Sequence, residues 1–277
     1  MAKYQSELEL HLSLLGSELT ITSDDPRWIE LLGQLWGPFL SRETDSRRDG
    51  IHIWTESGRW MIDFFGEWSN FATDPWSLAA AVRNAMVSRA EKRRQGGVFL
   101  HAGGVSRGDE LALIAGPAGF GKTTLILELL QRGWTYFSDD LTMIETASGL
   151  MHPFPKPLHI KRAATWNEHK SSWAPPSWLP PPRESYLIPP SAFQVAEAPL
   201  PAARLVFPLF RPGARLELRP LSAAQSLAHC LQNLRVGSRV TAQTAASLRR
   251  LVAQAPAAEL RHGGAPMAAQ ALQEWVL

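Results

Sequence analysis

A single cysteine, Cys230, stands in a chain of 277 residues. A lone thiol cannot close an intrachain disulfide and has no companion thiols for a zinc site, so a reducing compartment is the simplest expectation. Long apolar runs are missing as well. No uncharged stretch approaches the ~20 residues needed to span a bilayer, and the opening MAKYQSELELHL lacks the apolar core of a signal peptide. These absences predict a cytoplasmic protein with no membrane partner. An excess of one charge is also lacking. Lys and Arg number 28 against 26 Asp and Glu, a formal balance of +2, so no general attraction to nucleic acid follows. There is no internal repeat. What remains is 45% hydrophobic and 19% charged residues, the profile of a soluble globular chain long enough for one large or two modest domains.

Two textures divide the sequence. Residues 1–95 read as a small α+β module. Leu8–Leu14 alternates apolar and polar residues, and Glu18–Thr22, Ile51–Thr55 and Arg59–Phe65 read as further strands, the last two joined by a turn at Ser57–Gly58. Asp25–Pro26 and Asp74–Pro75 each open a helix, with proline where its missing N–H costs nothing. Six tryptophans (Trp28, Trp36, Trp54, Trp60, Trp68, Trp76) lie here. Two readings of them are open: a surface for a peptide or subunit, or core and rim aromatics of a small domain.

Residues 96–277 carry a different pattern. Val98–Val105 and Leu111–Ala115 read as apolar strands, followed by a helix over about Thr123–Arg132, a stop at Gly133 and a strand at Trp134–Phe137. That order is an α/β nucleotide-binding core. The proline-rich segment 174–190 is expected to be neither helix nor central strand, but a surface connector or a loop that orders on binding. Beyond it come strand-like Arg204–Phe207 and Leu216–Leu218 and helices around Ala223–Leu234 and Ala245–Ala253.

Within that core, Gly116, Pro117, Ala118, Gly119, Phe120, Gly121, Lys122 and Thr123 spell G-x-x-x-x-G-K-[ST], and Thr124 follows. The spacing has a chemical reason. Glycines let the backbone curl so that several N–H groups point at phosphate oxygens. Lys122 is placed to reach the β- and γ-phosphates, and the Thr123 hydroxyl to ligate Mg²⁺. The positive end of the following helix adds to the attraction. A nucleoside triphosphate with Mg²⁺ is the expected ligand. Asp139 and Asp140 end the next strand, at the carboxyl edge where ligands bind. Phosphoryl transfer calls for a carboxylate on the metal and often a second one to orient or deprotonate an attacking hydroxyl.

With these elements in hand, the chain resembles the C-terminal domain of HPr kinase/phosphorylase, and more closely the shorter HPr-kinase-like proteins. The resemblance rests on HAGGV at 101–105, GPAGFGKT at 116–123 and RGWTYFSDD at 132–140, with PFPKPLHIK at 153–161 and LVFPLFRPG at 205–213, and covers about residues 96–235. It implies an α/β fold of the HPr kinase/phosphoenolpyruvate carboxykinase type and an ATP-dependent serine kinase. It implies Asp139 as the base toward a serine hydroxyl, Asp140 as a holder of Mg²⁺, and His101 on the acceptor side. Lys156, Lys161 and Arg211 become candidates for phosphate or substrate contacts. Where the bifunctional enzymes carry a signature resembling E-I-R-G-x-G, this chain has HIKRAA at 159–164, so phosphorylase activity is not expected. Its first 95 residues do not resemble the family's usual regulatory domain. Branch members of this length include kinases of ribosomal peptide precursors such as lasso peptides, which makes a peptide or small protein the expected acceptor. Related kinases form oligomers, so a homo-oligomer is an open expectation. Two other functions stay open at this point: a kinase for a small molecule such as an amino acid or sugar, and a nucleotide-dependent regulatory protein with slow hydrolysis.

Overall fold

The computed structural model describes residues 8–42, 50–161, 173–235 and 240–276. Residues 1–7 of the opening stretch and 162–164 of HIKRAA lie outside them. The chain divides into two compact units. One comprises residues up to Arg94 together with Lys156–Ala192; the other comprises Gln95–Pro155 and the chain from Phe193 onward. The first break falls one residue from the boundary expected at 95/96. The excursion through 156–192 interrupts the range 96–277.

The first unit opens with β1 (Leu8–Leu14), β2 (Ser17–Ser23) and α1 (Pro26–Leu35). Then come β3 (Gly50–Glu56), β4 (Arg59–Phe64), β5 (Trp68–Ala72) and α2 (Pro75–Arg93). The strands form one sheet in sequence order, antiparallel except where β2 and β3 run parallel. Period-two alternation puts Leu12, Leu14, Leu19, Ile21, Ile51, Ile53, Ile62 and Phe64 in the core. Both helices start where the Asp-Pro pairs lie: Asp25 accepts from the Arg27 N–H at 3.0 Å and Asp74 from the Ser77 N–H at 2.8 Å. Trp28, Trp36 and Trp76 are fully buried, whereas Trp68 is half exposed. Half of the six tryptophans are therefore core, while Trp54 and Trp60 are partly covered.

Gln95 begins the second unit. Its first strands are β6 (Gly97–Leu100), β7 (Ala102–Arg107) and β8 (Glu110–Ala115), followed by α3 (Lys122–Gln131). Then come β9 (Thr135–Ser138), β10 (Thr142–Glu145) and β11 (Met151–His152). Where one strand was expected over Val98–Val105, two are found, broken at His101. β6 leaves to pair with β10, while β7 enters the main sheet between β8 and β9.

In the 156–192 excursion, β12 (Leu158–Ile160) and β13 (Tyr186–Ile188) pair antiparallel. They belong to the first unit, where Arg83 of α2 donates to Pro157 O and the Trp76 indole to Pro180 O, both at 2.8 Å. The proline-rich segment is thus not wholly a surface connector: its end is a buried strand. The apolar triplet Tyr186–Ile188 escapes the prolines around it and finds a partner strand.

The chain then completes the second unit with β14 (Ala202–Phe210), β15 (Glu217–Leu221), α4 (Ala223–Gln232), α5 (Ala242–Gln254), β16 (Ala257–His262) and α6 (Ala265–Val276). The main sheet has the order β15-β16-β14-β8-β7-β9. β8, β14 and β16 are parallel neighbours, and β8 is buried on both faces, as a central parallel strand should be. Leu111, Leu113 and Ala115 share a core with Cys230, Leu248 and Leu251 of α4 and α5. The alternate positions face α3, whose Ile126 sits over Gly103, the partner of Ile114 in the sheet. This unit is a mixed α/β layer structure with helices on both faces.

Candidate active site

Strand direction decides what meets at one edge. The carboxyl ends of β8, β14 and β16 coincide because these strands are parallel. β7 is antiparallel to β8 and so begins at that same edge; β9 is antiparallel to β7 and so ends there. His101, the 116–121 loop, the Asp139–Asp140 pair, Arg211 and His262 are therefore all delivered to one side of the sheet. Ligands bind outside the carboxyl ends of strands in such sheets.

The loop has the backbone that its glycines allow. Gly119 and Gly121 have φ of +87° and +88°, a region that other residues enter at a cost. Gly121 caps α3 without any side-chain acceptor, leaving the N–H groups of the first turn directed outward from the helix end. Lys122 is buried and folds back, its Nζ donating to Gly116 O at 2.7 Å and to Pro117 O at 3.1 Å. These bonds hold the ammonium across the mouth of the loop. Pro117, Ala118, Gly119 and Thr124 are exposed.

The paired aspartates differ in their surroundings. Asp139 is buried at 1% exposure, and the Thr123 hydroxyl donates to its Oδ1 at 3.1 Å. Asp140 is more open and meets the Nε2 of His101 through Oδ1. Its backbone is left-handed, with φ of +64°. Asp tolerates that region better than most residues, and such outliers gather at functional sites. The turn is fixed from beneath: Ser138 and Thr142 share a hydroxyl–hydroxyl bond of 2.8 Å, and Thr142 donates to Ala102 O at 3.0 Å. Gly103 makes room for it. A Cβ built there would lie 2.2 Å from Ile126 Cδ1, 3.1 Å from Ser138 O and 3.4 Å from Asp139 Cα. The strand can hold α3 and the aspartate turn this close only because that side chain is absent.

Of the other expected residues, Arg211 follows β14 at the same edge and is exposed; its N–H donates to His262 O at 3.0 Å. Lys156 is buried and Lys161 exposed, and both fall within the first unit. Among the described residues no cluster of three or more His, Cys, Asp or Glu could hold a metal by itself.

No protein-family model matches the chain. No match is found among curated proteins. Among solved structures it is similar to the Hpr(Ser) kinase/phosphatase from Coxiella burnetii, at a TM-score of 0.28 and 10% sequence identity, over 64% of this chain and 93% of that one. A likeness that slight carries no argument, and the site stands on its own chemistry.

Two contributors escape sequence reading. Gly103 was signalled only by an adjacent glycine pair inside an apolar strand, which marks a close approach of something else. His262 had no signal: it ends β16, a strand whose sequence AAELRH reads as ordinary surface.

Proposed function

We propose that the second unit binds a nucleoside triphosphate with Mg²⁺ on residues 116–124 and transfers the γ-phosphoryl group to a serine hydroxyl of a peptide or small protein. One observation carries the reading: the glycine-built loop with its folded-back lysine shares an edge with two adjacent carboxylates, one bonded to the loop's threonine and the other to a histidine. Loop N–H groups and Lys122 neutralise phosphate charge. Thr123 and Asp139 suit an octahedral Mg²⁺, which takes one or two protein oxygens and completes its shell with phosphate and water. The metal, when bound, screens the charge on the transferring group.

The hydrogen bonds favour a division of labour opposite to the one the resemblance implies. Asp139, buried and tied to Thr123, fits the metal side. Asp140, open to solvent and paired with His101, fits the side from which a hydroxyl would attack. There Asp140 accepts the hydroxyl proton and His101 holds the carboxylate in place.

Incubation with γ-labelled ATP, Mg²⁺ and candidate acceptors tests the proposal. Label on serine of a peptide or protein supports it. Label in a small metabolite replaces the acceptor class, and label only in free phosphate leaves a nucleotide hydrolase. No turnover and no nucleotide binding would remove the reading altogether.

A further inference from the structure

The imidazole of His262 is 1% exposed; its one hydrogen bond is with the Gly264 main chain, which leaves a ring nitrogen with no partner among the described residues. Burial lowers its pKa below the ordinary histidine value, opposed more weakly by the nearby Gly264 main chain. The neutral ring then offers one N–H donor and one bare acceptor. Buried polar atoms are nearly always matched, so the nitrogen left over calls for a partner that is absent from the free chain.

Its surroundings point to that partner. The Nε2 edge faces the loop: a Cβ built on Gly121 would lie 3.5 Å from Nε2 and 3.6 Å from Cε1 of His262, and 3.3 Å from Cβ of Phe210. The rings of Phe210 and His262 lie 5.6 Å apart at 50°, and Phe210 is only partly covered. Sheet order gives a direction as well. Thr123, Asp139, Asp140 and His101 gather toward β7 and β9, on one side of β8; β14 and β16 lie on the other. A triphosphate whose terminal group faces the aspartates runs its other end toward Phe210 and His262.

We propose that Phe210 and His262 form the nucleoside subsite of this loop, Phe210 giving an apolar face and His262 a hydrogen bond to the base or ribose. The inference rests on residues 116–124 being a triphosphate loop. It assigns to His262 contact with the nucleoside and not with the phosphates.

Calorimetric titration with Mg·ATP and with Mg·tripolyphosphate, which has no nucleoside, separates the two. His262→Ala is expected to weaken ATP binding at least fivefold and tripolyphosphate binding less than twofold. Phe210→Leu, at a partly covered position, is expected to show the same split and carries the comparison should His262→Ala not fold. Equal weakening of both compounds, or no change in either, overturns the subsite. So does a wild-type protein that binds tripolyphosphate as tightly as ATP. A wild-type protein that binds neither compound overturns the loop reading itself, a result distinguishable from the others before any variant is made.

Discussion

The Thr123 hydroxyl donates to Asp139 Oδ1 at 3.1 Å, across the gap between the first turn of α3 and the end of β9. That contact ties the loop to the deeper of the two aspartates, which the proposed function places on the metal side of the site. Asp139→Asn is expected to raise the Kd for Mg·ATP about tenfold while leaving Mg-free binding within about twofold, since one ligand to a hard cation is weakened. Asp140→Asn is expected to preserve Mg·ATP binding and lower kcat by about 10²–10⁴, the usual worth of a general base. Titration with and without Mg²⁺, beside single-turnover rates, checks both. The reverse pattern would restore the assignment drawn from family resemblance.

His101 and Asp140 touch directly, so they should behave as one device. His101→Ala and Asp140→Asn are each expected to lower kcat, and the double variant to be little worse than Asp140→Asn alone. Groups that act as a unit are non-additive in this way. Strictly multiplicative losses would mean that the pair serves two separate tasks.

Gly103 is where packing permits the site to close. Gly103→Ala places a methyl group 2.2 Å from Ile126 Cδ1 and 3.1 Å from Ser138 O. The expected destabilisation is about 1–3 kcal/mol, as for other overpacked cores. Ile126→Val removes the Cδ1 atom and should recover part of that loss, because only the carbonyl contact remains. Urea denaturation of the two single variants and the double variant measures the coupling. Simple additivity would show that the strain lies elsewhere.

Cys230 packs among Leu248, Leu251 and Leu113, and burial pushes its thiol up to about 12. The folded state therefore keeps a proton that the unfolded chain gives up near pH 9. Stability from this group is present below pH 9 and falls as pH rises above it, by about 1.4 kcal/mol per pH unit until the folded-state value is reached. His262 acts at the other limb. Its lowered pKa means that the unfolded chain binds the proton first, so stability falls as pH drops below the ordinary histidine value near 6.5. Denaturation midpoints across pH 5–10 should show both limbs, with the acid limb reduced in His262→Gln. In the native protein, thiol reagents at pH 8 should label Cys230 only after unfolding.

Much of this was legible in the residues, for identifiable reasons. The loop, its helix and the Asp139–Asp140 turn are local: glycine spacing, helical periodicity and a strand end fix them within a few tens of residues. The break at His101 was not legible. Val98–Val105 is apolar apart from His101, and only the presence of two separate sheets parts β6 from β7. β13 was hidden by the prolines around it, and its pairing with β12 spans a separation that no local pattern encodes. β16 and α6 were missed because AAELRH and an alanine-rich tail carry weak signals. His262 and Phe210 meet Gly121 only through parallel pairing of three strands drawn from distant parts of the chain.

The central claim is that residues 116–124 cradle the phosphates of a nucleotide, and calorimetric titration of the whole protein with Mg·ATP tests it most directly, beside Lys122→Ala. Micromolar binding by the wild-type protein that weakens at least tenfold in a folded Lys122→Ala variant is the expected result. Absence of binding at millimolar Mg·ATP, or equal affinity in the two proteins, would contradict it.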